Sequence, residues 1–337
     1  MSAGEKLLLV GPAFHGYHRS IARAWEALGY DVVSHCYDAF GTTAEKLRNK
    51  LRHELPSRLG LDGARAAERW ATSRTLEVLR AVAPDRVVVI KGDSLGDAFW
   101  EEVDTRAVPR ILWLYDDLKR HRYTTEFLRW VGPVAGYARS ETDALRAEGV
   151  DAHFVPNAFD PDLAAPPADR VPEVVFVGSR YPNRVELMTG LHRQGVPVRV
   201  YGRQWSHHPF DRLRTWELTR PDLPAERDVP LHEAYTVQAR AAAAVNIHGL
   251  QAGHAMRSFE VPGMNGLQIV DRADIEEFYD VGTEVLRYGS PEELAELSRR
   301  ALRDTAWAEG IRAAGRRRTL AEHTFAHRVR GMEAMWH

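Results

Sequence analysis

The sequence predicts an α/β protein made of two doubly wound domains, and three observations carry that reading. Short, nearly continuous apolar runs alternate with stretches of helical period along the chain, as expected for parallel strands covered by helices on both faces. The alternation breaks once, at DPDLAAPPADRVPE from Asp160, which is rich in Pro, Ala and Asp and has no period. The length of 337 residues suits two domains better than one.

In chain order, the first set of predicted strands is LLLVGP from Leu7, DVVSHC from Asp31, RVVVIK from Arg86, RILWLYDD from Arg110, PVAGYA from Pro133 and AHFVPN from Ala152. Between them, HRSIARAWEALG and AERWATSRTLEVLRAV repeat apolar residues at helical spacing. After the linker, near residues 158–172, the strands resume as EVVFVG from Glu173, VPVRVYG from Val196, AAVNIH from Ala243, LQIVD from Leu267 and EVLRYG from Glu284, with helices from Pro291 onward. This sets an N-terminal domain at 1–160 and a C-terminal domain at 170–322, with a last helix at 323–337 returning to the first domain. The segment from Ser206 to Asp228 has too weak a pattern to place.

Composition narrows the function. A formal net charge of −2 disfavours a nucleic-acid partner. Cys36 is the only cysteine, so neither an intrachain disulfide nor a cysteine-based zinc cluster can form. The apolar run at Leu7 is far too short to span a membrane and no cleavage site follows it, so it reads as a buried first strand. A cytoplasmic protein without a membrane span is expected; peripheral contact with a membrane stays open.

Open parallel sheets bind ligands at the carboxyl ends of their strands, so chemistry is expected just after each strand. VVFVGSRYPNRVEL ends a strand at Gly178 and starts a helix near Arg184, with Asn183 and Glu186 spaced as a capping box. The helix N-terminus, Arg180 and Arg184 suit a diphosphate; an ordinary turn with two solvated arginines fits as well. Neither a dinucleotide fingerprint nor a P-loop is present. VNIHGLQAGHAMRSFE ends a strand near His248, passes Gly249 and Gly253, and enters a helical stretch with Arg257, Ser258 and Glu260. That is a second anion site with a carboxylate able to accept from a ribose diol; Arg257 and Glu260 read equally as a structural ion pair.

The run RSFEVPGMNGLQIVDRADIEEFYDVGTEVLRYGSPEEL from Arg257 resembles the CgeB-like (spore maturation protein) glycosyltransferases, as do VVFVGSRYPNRVEL and the terminal HTFAHRV through His323, Thr324, Phe325 and Arg328. In the N-terminal half, VVVIKGDSL and ILWLYDD are similar too. The resemblance implies a GT-B fold related to the family-4 glycosyltransferases, with two Rossmann-like domains facing across a cleft. It implies that Glu260 binds the donor ribose, and it sets Ser179 and Arg184 at the arginine and lysine positions of the family's diphosphate segment. Arg180 or Arg257 would then supply the missing charge. The glutamate expected eight positions before Glu260 is replaced by Ala252, which leaves the sugar contacts open.

The N-terminal domain would hold the acceptor. Gly11, His15 and His18 follow the first strand, and Lys91, Gly92 and Asp93 another. His15 would be the base, or bind a hydroxyl. Asp116 and Asp117 are read as acceptor or capping residues, since two adjacent carboxylates alone make a poor Mg²⁺ site. His207 and His208 are not read as metal ligands. The function expected is metal-independent transfer of a sugar from a nucleoside-diphosphate donor to a hydroxyl acceptor, with retention and without a cofactor, Arg184 and Arg257 assisting departure of the diphosphate. The rival readings are a nucleotide-sugar epimerase of the same fold and a non-catalytic nucleotide-sugar-binding protein. The donor base, the sugar, the acceptor and the oligomeric state are not legible.

Overall fold

The computed structural model describes residues 4–39, 63–163, 169–249 and 251–336. The chain divides into two compact units, one of Met1–Pro156 with Phe325–His337 and one of Asn157–Thr324. Part of the interdomain linker, residues 164–168, lies outside the described residues.

Unit 1 contains β1 (Lys6–Gly11), β2 (Asp31–Cys36), β3 (Arg86–Ile90), β4 (Arg110–Trp113), β5 (Val134–Gly136) and β6 (Ala152–Phe154). They form a parallel sheet in the order β2-β1-β3-β4-β5-β6. Leu7, Leu8, Leu9 and Val10 are all buried although their side chains alternate between faces, so both faces are covered. Helices Tyr17–Glu26 and Gly63–Val82 are among those that supply the cover. One core gathers Leu8, Val10, Val87, Val89 and Leu112 with Phe99 and Trp100.

The C-terminal segment completes this unit. Helix Phe325–Glu333 puts Phe325 against Tyr17 and Trp113, and Trp336 beyond it lies 5.2 Å from Trp25, ring to ring. Arg328 Nε donates to the Pro156 carbonyl at 3.0 Å.

Unit 2 contains β7 (Val171–Val177), β8 (Val198–Tyr201), β9 (Ala225–Glu226), β10 (Ala241–Asn246), β11 (Gln268–Val270) and β12 (Leu286–Arg287). They are parallel in the order β12-β11-β10-β7-β8-β9. The segment with the weakest sequence pattern contributes helix Pro209–Thr215 and β9. Long helices close the unit, each started by a side-chain cap: Ser290 accepts from Glu293 N before Pro291–Arg303, and Asp304 from Trp307 N before Thr305–Glu322. Arg170, at the entry to β7, pairs bidentately with Glu309 on the second of these.

Each of the two strand orders is that of a doubly wound parallel sheet, the class expected from the sequence. In each sheet the order reverses once, between β1 and β3 and between β7 and β10. Ligand crevices form at such reversals. No helix among the described residues is long and apolar enough to cross a membrane.

Candidate functional site

In unit 2 the reversal point is built from the ends of β7 and β10. Gly178 leaves β7 with φ of 153°, and a Cβ there would stand 3.0 Å from Arg257 Nη1. Glycine therefore lets the Arg257 guanidinium lie against the strand end, where it donates to the Val177 carbonyl at 3.0 Å. The Gly178 carbonyl accepts from Trp205 Nε1 at 2.9 Å and holds the turn from the other side.

Helix Pro182–Arg193 starts with Pro182 after Tyr181, which fills the cap position without a side-chain bond. This corrects the capping box: Asn183 lies inside the first turn, and its Nδ2 reaches across to the His248 carbonyl at 2.9 Å. The residue is spent on tying this helix to the end of β10.

Arg184 does the same with charge. It is 4% exposed, and it donates to the Ile247 carbonyl through Nε and Nη2 (3.0 and 2.8 Å) and to the Ser179 carbonyl through Nη1 (2.9 Å). No carboxylate is among its hydrogen-bond or ion-pair partners in the described residues. Burial, and then the neighbouring Arg257, lower its pKa to about 10, so it stays cationic at neutral pH. Both guanidiniums approach the Phe176 ring, with Cζ 5.2 Å (Arg184) and 5.8 Å (Arg257) from its centroid. Two arginines thus converge on one strand end.

Arg180 goes elsewhere. It pairs with Glu217 at 2.6 Å, away from this convergence, and its backbone N–H donates to Gln204 Oε1. Ser179 contributes its carbonyl, to Arg184.

Behind β10 lies a buried polar network. His248 donates to the Asp271 carboxylate from both its backbone N–H and Nδ1, each at 2.8 Å. Burial is the main reason its pKa falls to about 4, overriding the raising effect of Asp271. The ring is therefore neutral, and with Nδ1 donating to Asp271, Nε2 is left as an acceptor 3.4 Å from Ser258 Oγ and from Ala255 N. Ser258 Oγ also meets Asn246 Nδ2 and His254 Nδ1, both at 3.1 Å, and is fully buried. His254 Nε2 lies 3.0 Å from Asp274, whose own pKa burial would raise but Arg272 and His254 hold below the usual carboxylate range. His248 and Ser258 thus brace the loop from inside; their side chains are not turned outward as donor contacts.

Arg272 carries the loop itself. It donates to the carbonyls of Gln251, Ala252 and Gly253, and its position is set by Asp274. Glu260, on helix Arg257–Gly263, is 3% exposed and accepts from Tyr235 Oη at 2.8 Å. Asp271, Arg272, Asp274, His254 and Tyr235 were not singled out from the sequence. Asp271 ends a predicted strand, and Arg272 and Asp274 come directly after it, which is the signal that marks them.

In unit 1 the reversal point lies after β1 and β3. Gly11 packs against Ile90, 3.1 Å from where a Cβ would stand. His15 sits in a left-handed turn (φ 47°), exposed, with its ring 4.2 Å from Phe14. His18 is half-buried, and its pKa is lowered by burial and by Arg19. Lys91 and Gly92 are both left-handed; Lys91 Nζ pairs with Asp116 at 3.2 Å, and its carbonyl accepts from Tyr123 Oη at 2.6 Å. Arg122 Nη2 donates to the Asp93 carbonyl. Asp117 is fully buried and accepts from Tyr137 Oη at 2.6 Å, which makes it a structural acceptor. The structure therefore joins Lys91, Asp93 and Asp116 in one patch at the ends of β3 and β4, and sets His15 and His18 at the end of β1. Among the described residues no group of three or more His, Cys, Asp or Glu side chains is placed to hold a metal ion.

Residues 184–334 match the family model of glycosyl transferase-like proteins. No curated protein matches the chain by sequence. Among solved structures, a sucrose-phosphate synthase from Thermosynechococcus elongatus is similar over 98% of both chains, with a TM-score of 0.66 at 14% identity. A glycosyltransferase from Rickettsia africae aligns with 100% of this chain and 98% of its own, with a TM-score of 0.62 at 11% identity. HepE from Anabaena in complex with UDP-glucose aligns over 98% of this chain and 100% of its own, with a TM-score of 0.60 at 12% identity. The fold is that of GT-B glycosyltransferases, and the family match and the fold together support a glycosyltransferase.

Proposed function

We propose that the chain moves a sugar from a nucleoside diphosphate to an acceptor hydroxyl, with unit 2 binding the donor and unit 1 the acceptor. The observation that carries this reading is the pair Arg184 and Arg257 at the end of β7. Arg184 is a buried cation whose hydrogen bonds go to carbonyl oxygens and whose neighbour is a second arginine. Like charges this close repel, and an anion between them removes the repulsion and adds charge-assisted hydrogen bonds. A diphosphate is the anion in keeping with the UDP-glucose complex of HepE.

In the transfer, the bond from the anomeric carbon to the diphosphate oxygen breaks and its electrons leave with the diphosphate. The acceptor oxygen forms the new bond and passes its proton to a base, the role read for His15. Fixed cations beside the leaving oxygen stabilise the developing charge without reorganisation. On this reading no metal is needed, and Lys91, Asp93 and Asp116 meet the acceptor's hydroxyls. Retention at the anomeric carbon and membership of the CgeB-like group rest on the sequence resemblance. The lone Cys36 accords with a cytoplasmic enzyme.

A thermal-shift series with UDP-, GDP-, dTDP- and ADP-sugars tests the donor, because a ligand of the native state alone raises Tm by mass action. One of them should stabilise the chain, and nucleotide should then be released only when an acceptor is present, in EDTA as in buffer. Loss of turnover in EDTA with recovery in Mg²⁺ or Mn²⁺ would falsify the metal-free mechanism. Interconversion of the donor sugar without an acceptor would make the chain an epimerase.

A further inference from the structure

Nine large apolar side chains are exposed among the described residues, and four of them fall between Phe210 and Leu218: Phe210 (55%), Leu213 (63%), Trp216 (85%) and Leu218 (75%). Scattered apolar residues are ordinary on a surface; a cluster of this kind marks an interaction site. The local fold holds it in place. His208 Nδ1 caps helix Pro209–Thr215 by accepting from Phe210 N. Asp211 is fully buried and bound bidentately by Arg227 (2.8 and 3.0 Å), which turns that side of the helix inward and leaves Phe210, Leu213 and Arg214 outside. Trp216 ends the helix in the left-handed region (φ 57°), a conformation that costs energy for any residue with a side chain. Burying its indole in the protein does not repay that cost.

The charges around the cluster are arranged with one sign in excess. Its two carboxylates are taken up within unit 2, Asp211 by Arg227 and Glu217 by Arg180 and Arg220. Arg212 and Arg214 add positive charge on the helix that carries Phe210 and Leu213. Next to Leu218 an open hollow of about 650 Å³ is lined by Arg180, His192, Arg193 and Arg220, with Glu217 and Asp222.

We infer that the segment Phe210–Leu218 docks unit 2 on an anionic lipid bilayer. Trp, Phe and Leu enter the headgroup boundary, where indoles are favoured, and Arg212 and Arg214 meet lipid phosphates. Excess positive charge beside apolar side chains complements such a surface, and it is what separates this occupant from an apolar protein partner. The inference does not depend on which sugar or nucleotide the chain uses.

Co-sedimentation of the full chain with vesicles tests it, using phosphatidylcholine alone and phosphatidylcholine mixed with an equal part of phosphatidylglycerol. The chain should bind the mixed vesicles, bind the neutral ones far less, and release as salt is raised. The double substitution Leu213→Ser/Trp216→Ser should weaken binding by about tenfold or more. Arg212→Glu/Arg214→Glu should abolish the preference for phosphatidylglycerol. These side chains are exposed or half-buried, so the variants should keep the Tm of the parent, and that is measured alongside. Absence of binding to the mixed vesicles overturns the inference, and so does binding that both variants leave unchanged. If the apolar substitutions instead abolish a concentration-dependent dimer seen by light scattering, the surface belongs to a second copy of the chain and the inference fails.

Discussion

On the proposed reading, donor binding turns on Arg184, Arg257 and Glu260, and the structure gives each a different setting. If Arg184 and Arg257 hold the leaving diphosphate, replacing either by Ala should reduce turnover by about 10²-fold or more, the scale of losing one transition-state donor. Single-turnover assays check this with protein whose fold is verified, since Arg184 also ties the start of its helix to the Ile247 carbonyl just past β10. Glu260→Gln keeps its size and its bond to Tyr235 but loses the charge. Nucleotide affinity should fall by roughly tenfold, the worth of one hydrogen bond to a charged group. Calorimetry that finds affinity unchanged would make Glu260 a structural partner of Tyr235. His248 offers a pH test. Its pKa falls from the ordinary imidazole value to about 4 in the folded chain, so the unfolded state binds the extra proton. Its contribution to stability is then complete above about pH 6.5 and is lost as pH falls through 4, by up to ~3 kcal/mol. Urea unfolding of the parent should show this slope and His248→Asn should lack it; equal slopes would reject the assignment.

The turn from β7 into its helix was legible in outline and wrong in detail. Gly178 and Arg184 stand where a strand gives way to a helix, but the Asn183/Glu186 spacing points to a cap that the fold does not use. Pro182 starts the helix two residues earlier than a cap at Asn183 would, and Asn183 finds a partner at His248, far away in sequence. β10 shows the same limit: Ala241–Asn246 begins with four alanines, poor strand formers, and is extended because it lies buried between β7 and β11. Gly202 reads in sequence only as the end of the strand VPVRVYG. It has φ of 151°, and a Cβ would stand 2.6 Å from the Gly178 carbonyl. Gly202→Ala should therefore destabilise unit 2 by roughly 1–3 kcal/mol and displace the turn that Arg257 lies on; denaturant titration with a donor-affinity measurement reads both effects.

The chain makes one unit, then the second, then returns to the first at Phe325. Residues 325–336 bring Phe325 to Tyr17 and Trp113, Trp336 to Trp25, and Glu333 to the Tyr30 hydroxyl. Removing 325–337 should expose these aromatic faces and lower the stability of unit 1 by several kcal/mol, on the scale of ~1.5–3 kcal/mol for each large apolar side chain uncovered. Calorimetry should show the transition of unit 1 shifted down while that of unit 2 stays near its place. A common shift of both transitions would mean that the two units unfold as one.

The sequence by itself determined the class of fold, because strand and helix periods are local and survive in any window of the chain. It marked the positions just after the strands as the places to expect chemistry, because parallel sheets present their carboxyl ends to ligands. It also supplied the glycosyltransferase resemblance, which rests on side chains in fixed spacing. Only the tertiary structure decided which charges are free to act. Arg180 and Arg184 stand four residues apart and look alike in sequence, yet one meets Glu217 and the other carbonyl oxygens. The adjacent Asp116 and Asp117 divide likewise, one to Lys91 and one to a buried tyrosine. Electrostatic roles depend on distance and burial, and both are set by residues far away along the chain.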